Sequence, residues 1–145
     1  KRTLHDSSLS YCAHAQICAE IGEMEMAEEF FVKALETDLC DNPQDSVDGI
    51  HAASLGGIWK CVVAGFAGVS CDEDGIILAP HLLEHWNSIK FSVMVHGQKM
   101  DCFIDKENIS LHLCSSGKSK EPITIKVQGK KYILKDDLHL KYGKE

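Results

Sequence analysis

Gly65-Phe66-Ala67-Gly68-Val69-Ser70-Cys71-Asp72-Glu73-Asp74-Gly75-Ile76-Ile77-Leu78 is the stretch in which the chain changes its hydrophobic period. Upstream of it apolar residues recur at helical spacing, and downstream they alternate with polar ones, as in half-buried strands. Asp72-Glu73-Asp74-Gly75 reads as a hairpin turn between Val69-Ser70-Cys71 and Ile76-Ile77-Leu78. The fold class this predicts is α+β, with helices over residues 1–68 and antiparallel strands over residues 69–145.

Working back from that switch, an apolar helix is expected over about Ala53–Ala64, apolar almost all round and therefore buried. Before it lies a helix over about Met24–Leu39. Its inner stripe is Ala27, Phe30, Phe31, Ala34 and Leu35, and its wet face is Glu25, Glu28, Glu29, Lys33 and Glu36. Pro43 stops that helix, since it cannot continue one and restricts the residue before it. The first helix is capped by Ser7 or Ser8, carries Leu9, Cys12, Ala13 and Ile17 as its apolar stripe, and ends at Gly22.

Working forward, Phe91, Val93 and Val95 alternate with Lys90, Ser92 and Met94, and His96-Gly97-Gln98 turns the chain into Met100, Cys102 and Ile104. Ile109, Leu111 and Leu113 follow. After a polar Ser115–Glu121 loop come Ile123, Ile125 and Val127, and Gln128-Gly129-Lys130 turns into Tyr132 and Leu134. The expectation is a meander of five or more antiparallel strands, with the charged tail Lys135–Glu145 frayed.

Composition bounds the function. The chain has 145 residues, 44 % hydrophobic and 26 % charged, with 15 Lys plus Arg against 22 Asp plus Glu for a net charge of −7. That excludes disorder, collagen and coiled coil. It also argues against nucleic acid, whose affinity comes mainly from cations on phosphates. The longest apolar run, Ile58–Val69, is interrupted by Lys60, Gly65 and Gly68, so no membrane span is expected. Seven cysteines without a CxxC pair read as free thiols, mostly buried, in a reducing cytoplasm. No apolar stretch follows Lys1-Arg2, and the chain does not open with Met, so an excised piece of a cytoplasmic protein is expected.

The chemistry concentrates in Asp48-Gly49-Ile50-His51-Ala52-Ala53-Ser54-Leu55-Gly56-Gly57-Ile58-Trp59. A helix N-terminus offers amide N–H groups and the positive end of the dipole to an anion. His51 adds a charge near neutral pH, Ser54 a hydroxyl, and Gly56 and Gly57 room for close approach. A glycine-rich helix start more often serves helix–helix packing, and the residues alone favour that reading over a bound anion. His5-Asp6-Ser7-Ser8 reads as a solvated cap. His81, Glu84, His85 and Trp86 lack the spacing of a metal motif, so no metal is expected and Trp86 reads as a packing anchor between the two halves.

Four blocks in register carry a resemblance. They are His5-Asp6-Ser7-Ser8-Leu9-Ser10, Ala19-Glu20-Ile21-Gly22-Glu23, Gly49 to Trp59, and Gly65-Phe66-Ala67-Gly68, followed by Leu78-Ala79-Pro80 and Glu84-His85-Trp86. Together they resemble the C-terminal part of the glycoside hydrolase family 65 phosphorylases, over about residues 3–135. The resemblance implies the last helices of an (α/α)6 barrel followed by a small antiparallel β-domain. It implies inverting phosphorolysis of an α-glucosidic disaccharide to β-glucose 1-phosphate, with inorganic phosphate as co-substrate and no cofactor. Phosphate would lie against His51, Ser54, Leu55 and Gly56, while the general acid, a glutamate, would lie upstream, so no catalytic residue is expected within this chain. Such a piece alone is expected to be inactive and to associate, with itself or with the rest of its chain, through the open helical face. Two alternatives stand beside it. One is a fragment of a trehalase-like hydrolase of the same family. The other is a non-catalytic sugar-binding or interaction module, which calls for an aromatic platform on one sheet face; the strands offer only Phe91, Phe103 and Tyr132, which argues against it.

Overall fold

The computed structural model describes residues 9–39, 50–114 and 121–143. The expected Ser7/Ser8 cap, the His5–Ser8 constellation, Cys40, Pro43 and residues 115–120 lie outside the described residues. The chain divides into two units, Lys1–Phe66 and Ala67–Glu145.

The first unit holds α1 (Leu9–Glu20), α2 (Met24–Leu39) and α3 (Ala52–Lys60), the last running on into a π-helical segment, Cys61–Phe66. At the end of α1, Gly22 N–H donates to the Ala19 carbonyl (3.2 Å) and Glu23 N–H to the Cys18 carbonyl (2.9 Å), the two bonds of a Schellman cap. The Glu23 carbonyl then accepts from Ala27 N–H (2.9 Å), so α2 starts within the cap of α1. On α2 the expected stripe is observed: Ala27, Phe31 and Ala34 are buried and Phe30 and Leu35 half-buried. Phe31 meets Phe66 edge to face at 5.1 Å and 80°, a favoured geometry for an aromatic pair.

Helix α1 turns a different face inward from the one its large residues predict. Cys12, Ala15, Cys18 and Ala19 are buried, whereas Ala13 and Leu9 are exposed and Ile17 is 55 % exposed. The reason is distance. A Cβ on Gly57 would lie 2.7 Å from the Cys12 Cβ, and one on Gly65 would lie 3.3 Å from the Gln16 Cα and 3.5 Å from the Ala19 Cβ. Only small side chains fit so close a crossing, so the bulky ones are turned out. Nor is α3 buried all round, because Leu55 and Trp59 are exposed.

Among the described residues the second unit has eight strands: β1 (Val69–Asp72), β2 (Gly75–Leu78), β3 (Ser88–Val95), β4 (Gln98–Asp105), β5 (Asn108–Leu113), β6 (Ile123–Val127), β7 (Lys130–Leu134) and β8 (Asp137–Lys141). They form two sheets, ordered β1-β2-β6-β7 and β3-β4-β5-β8. One core lies between the sheets, with Leu78, Ile125 and Leu134 from the first meeting Met100, Ile104, Ile109 and Leu111 from the second. Two-residue turns at His96-Gly97 and Gln128-Gly129, with positive φ at all four positions, have the twist that suits tight hairpins.

Two expectations about this unit are corrected. The strands are not a simple meander, because β2 and β6 pair in parallel, Ile76 opposite Ile125. The chain leaves β2, builds β3 to β5 in the other sheet, and returns. The tail is not frayed: Leu138, Leu140 and Tyr142 alternate with Asp137, His139 and Lys141, and β8 pairs antiparallel with β5. Tyr142 anchors it, its hydroxyl donating to the Asp105 carbonyl (2.5 Å) and its N–H to the Glu107 carbonyl (2.7 Å). Trp86 packs, half-buried, against the core of this β-unit.

Gly68 sits where Ala79 N–H donates to its carbonyl (3.1 Å), with φ of +61°. A Cβ there would lie 1.9 Å from the Ala79 carbonyl oxygen, a backbone atom that cannot rotate away. Gly68→Ala therefore combines a left-handed backbone with a clash, and urea denaturation followed by circular dichroism should show a loss of at least about 2 kcal/mol. A loss under about 0.5 kcal/mol would contradict the close approach.

Candidate functional site

The residues singled out in sequence surround the start of α3. His51 precedes the helix with φ −84° and ψ 76°, is half-buried, and its side chain does not cap it. Its carbonyl accepts from both Ser54 N–H (2.8 Å) and Leu55 N–H (3.1 Å), while Ala52 N–H donates to the Ile50 carbonyl (3.1 Å). Three of the four first-turn amides are thus engaged inside the chain, which holds the turn in shape.

Ser54 points away from solvent and is 0 % exposed. Its hydroxyl lies 3.9 Å from the Cys12 Sγ, and the Cys12 thiol donates to its carbonyl (3.4 Å). The Cys61 thiol donates in turn to the Cys12 carbonyl (2.9 Å). Burial, with the neighbouring Cys12 adding to it, pushes Cys61 up to about 12, so it stays protonated as a donor. The outward surface of the turn is made by Ala52, Ala53, Leu55 and Gly56, all exposed, and a Cβ on Gly56 would meet nothing within 4 Å. Leu55 and Gly56 therefore lie on the surface side of the turn, half-buried His51 precedes it, and the Ser54 side chain faces inward. What the arrangement offers chemically is the positive end of a helix dipole on an exposed face of Ala52, Ala53, Leu55 and Gly56, with His51 just before it and three of the first-turn amides already engaged.

The other sequence candidates sit in the β-unit. Leu83 and Trp86 form a turn, Trp86 N–H donating to the Leu83 carbonyl (3.0 Å), with the His85 ring edge-on to Trp86 at 6.4 Å. Among the described residues, no group of three or more His, Cys, Asp or Glu is placed to hold a metal ion. Cys12, Cys18, Cys61 and Cys102 are buried, whereas Cys71 is exposed because it lies on edge strand β1. Phe91, Phe103 and Tyr132 do not share a face: Phe91 and Tyr132 pack towards the core and Phe103 points out.

Of the residues singled out as candidates in the sequence, Phe103 lines a second concave surface. Asp101, Phe103, His112, Asp137 and His139 line a groove of about 230 Å³ on the outer face of β3-β4-β5-β8. Its polar lining is signalled in sequence by the alternate positions of the strands, and two of its residues stand on β8.

Residues 1–60 match the profile of the glycosyl hydrolase family 65 central catalytic domain, and residues 69–134 match that of the family 65 C-terminal domain. The chain belongs to glycosyl hydrolase family 65. It is 37 % identical over 137 residues to an alpha,alpha-trehalose phosphorylase from Geobacillus stearothermophilus, covering 94 % of this chain and 17 % of that enzyme. It is 36 % identical over 135 residues to a kojibiose phosphorylase from Caldanaerobacter subterraneus subsp. tengcongensis, covering 92 % and 17 %. A solved structure from the human microbiome, assigned provisionally as a kojibiose phosphorylase, superposes with a TM-score of 0.84 at 35 % identity and covers 97 % of this chain and 18 % of that one. The chain thus spans about a sixth of the length of the relatives it matches. No helix among the described residues is long and apolar enough to cross a membrane.

The two adjacent glycines of α3 separate by their surroundings. Gly56→Ala adds a Cβ into open space and should stabilise the helical unit by up to about 1 kcal/mol through helix propensity. Gly57→Ala drives a Cβ to 2.7 Å from Cys12 and should destabilise it by roughly 1–3 kcal/mol. Thermal denaturation of the two variants should therefore move the midpoint in opposite directions. A shared direction would contradict the crossing of α1 on α3.

Proposed function

We propose that this chain is the C-terminal portion of an inverting disaccharide phosphorylase acting in the cytoplasm. Inorganic phosphate is the co-substrate and an α-glucosidic disaccharide the sugar substrate. The observation that carries the reading is the similarity to trehalose and kojibiose phosphorylases along more than nine-tenths of the chain, across both units. A phosphate oxygen attacks the anomeric carbon as the glycosidic C–O bond breaks. A glutamic acid supplied upstream donates its proton to the departing oxygen, and attack from the opposite face leaves β-glucose 1-phosphate.

Within that reaction this chain's part is to hold the phosphate at the start of α3. His51 is the cationic donor. Leu55 and Gly56 form the open surface on which an oxyanion rests, and Ser54, clasped by Cys12, fixes the turn from behind. The helix dipole and a preformed turn favour an anion without reorganisation at the moment of reaction. The exposed apolar side chains of the helical unit, among them Leu9, Ile17, Ile21, Met26 and Trp59, fit helices that pack against the remainder of a catalytic domain. The preceding part of the same polypeptide covers them.

Two measurements test this. The 145-residue chain alone should release no glucose 1-phosphate from maltose, trehalose or kojibiose with phosphate. In a full-length enzyme carrying this segment, His51→Ala should raise the KM for phosphate by about tenfold or more, since a charge-assisted contact is lost, while the thermal midpoint changes little. An unchanged phosphate dependence counts against the assignment. Glucose release by the full-length enzyme without phosphate would instead identify a hydrolase.

A further inference from the structure

We propose that the groove on the outer face of β3-β4-β5-β8 is a carbohydrate site, separate from the α3 turn, that takes one neutral hexose unit stacked on Phe103. The sheet register builds it from two neighbouring cross-strand rows. Lys90, Phe103, Ser110 and His139 stand opposite one another in the first, and Ser92, Asp101, His112 and Asp137 in the second. Phe103 is the sole apolar member of the two rows and is 39 % exposed, while its neighbours Cys102 and Ile104 are buried on the other face. A single exposed aromatic is ordinary on a protein surface. An aromatic that floors a groove ringed by hydrogen-bonding side chains is the composition of a ligand site.

The polar groups around the ring are held in place. His112 Nδ1 lies 2.7 Å from Asp137 Oδ1, and His139 Nδ1 lies 2.9 Å from Ser110 Oγ. Asp101 accepts from the Ser92 hydroxyl (2.5 Å), the Cys114 thiol (3.2 Å) and the Lys99 ammonium (2.9 Å). These three donors hold its carboxyl far below the usual carboxylate range. With each Nδ1 engaged, Nε2 is the ring nitrogen left to a ligand. Side chains fixed by their neighbours lose little freedom when something binds.

The chemistry selects a sugar. Hydroxyl groups both donate and accept. Asp101 and Asp137 supply acceptors, Lys90 and the histidines supply partners of the opposite kind, and the C–H face of a pyranose fits an aromatic ring. Two carboxylates against one lysine disfavour phosphate, and no three His, Cys, Asp or Glu among the described residues are placed to hold a metal. The cavity, about 230 Å³, is below the roughly 300–1,000 Å³ of sites for drug-sized ligands. It fits one ring rather than a chain. This site does not depend on the assignment of phosphate to α3.

The test is a titration of the ¹⁵N-labelled 145-residue chain with maltose, and separately with inorganic phosphate, read from amide shifts. Maltose should move the resonances of Phe103, Ser110 and His112 saturably, with a dissociation constant on the order of 1 mM. Phe103→Tyr, which keeps the platform, should bind within about twofold, and Phe103→Ala should bind about tenfold more weakly. The proposal is overturned by absence of saturable shifts on these strands up to ~50 mM maltose, by phosphate producing them instead, or by Phe103→Ala binding as wild type. Maltose shifts confined to residues 51–56 would likewise overturn the groove while leaving the α3 site standing. Should Phe103→Ala fail to fold, the wild-type and Phe103→Tyr titrations decide alone.

Discussion

The helical unit depends on how closely α1 crosses α3. The Cys12 Cβ lies 2.7 Å from where a Gly57 Cβ would be, and its thiol reaches the Ser54 carbonyl. That one approach dictates the rest. It demands small residues at Ala15 and Ala19 and a glycine at position 65 farther along the crossing. It draws Ser54 inward, and because successive helical residues step by about 100°, Ala53, Leu55 and Gly56 are then turned outward. The exposed face at the start of α3 is the back of a packing contact. The two adjacent glycines differ in their surroundings: Gly57 packs against Cys12 and Gly56 is open.

The β-unit is organised by a different constraint, the sharing of one core by two sheets. Ile76, Leu78, Ile123, Ile125 and Val127 make β2 and β6 apolar enough to lie side by side in the middle of their sheet. A parallel pair needs a long crossover, and here the crossover is three strands of the opposite sheet. Burial on the inner faces leaves every second residue of β3, β4, β5 and β8 to the outside. The outer groove is thus a by-product of the register that forms the core. A one-residue slip in β4 would bury Asp101 and Phe103 and expose Cys102.

The residues whose chemistry and period agree were legible in the sequence. Helix α2 pairs a Phe and Ala stripe with a Glu-rich face, and the strands from Phe91 to Leu134 alternate cleanly around turns at Gly97 and Gly129. Helix α1 was not legible, because cysteines and alanines carry little hydrophobic signal while Leu9, Ile17 and Ile21 carry much. The inner face was chosen by how near two backbones come, a property of the pair and not of either helix. The strand β8 was hidden by its charges: Lys135, Asp136, Asp137 and Lys141 outweigh Leu138 and Leu140 until Tyr142 is seen bonded to Asp105. At the site, His51 and Gly56 were legible from their place at a helix start. The inward direction of Ser54 was not, because it depends on Cys12, 42 residues away.

Both proposed sites are compatible with a net charge of −7. Net charge acts over a Debye length of about 8–10 Å, whereas a helix dipole and one imidazole act within the first turn. Helix α3 itself carries no acidic residue within Ala52–Lys60. On the β-unit the carboxylates are instead tied into local networks. Lys126 and Lys131 hold Asp74, and Ser92, Lys99 and Cys114 hold Asp101. A carboxylate held this way keeps acceptor capacity for hydroxyl hydrogens and repels a phosphate. The acidic balance thus agrees with both proposals, an oxyanion at the helix end and an uncharged polyol on the sheet.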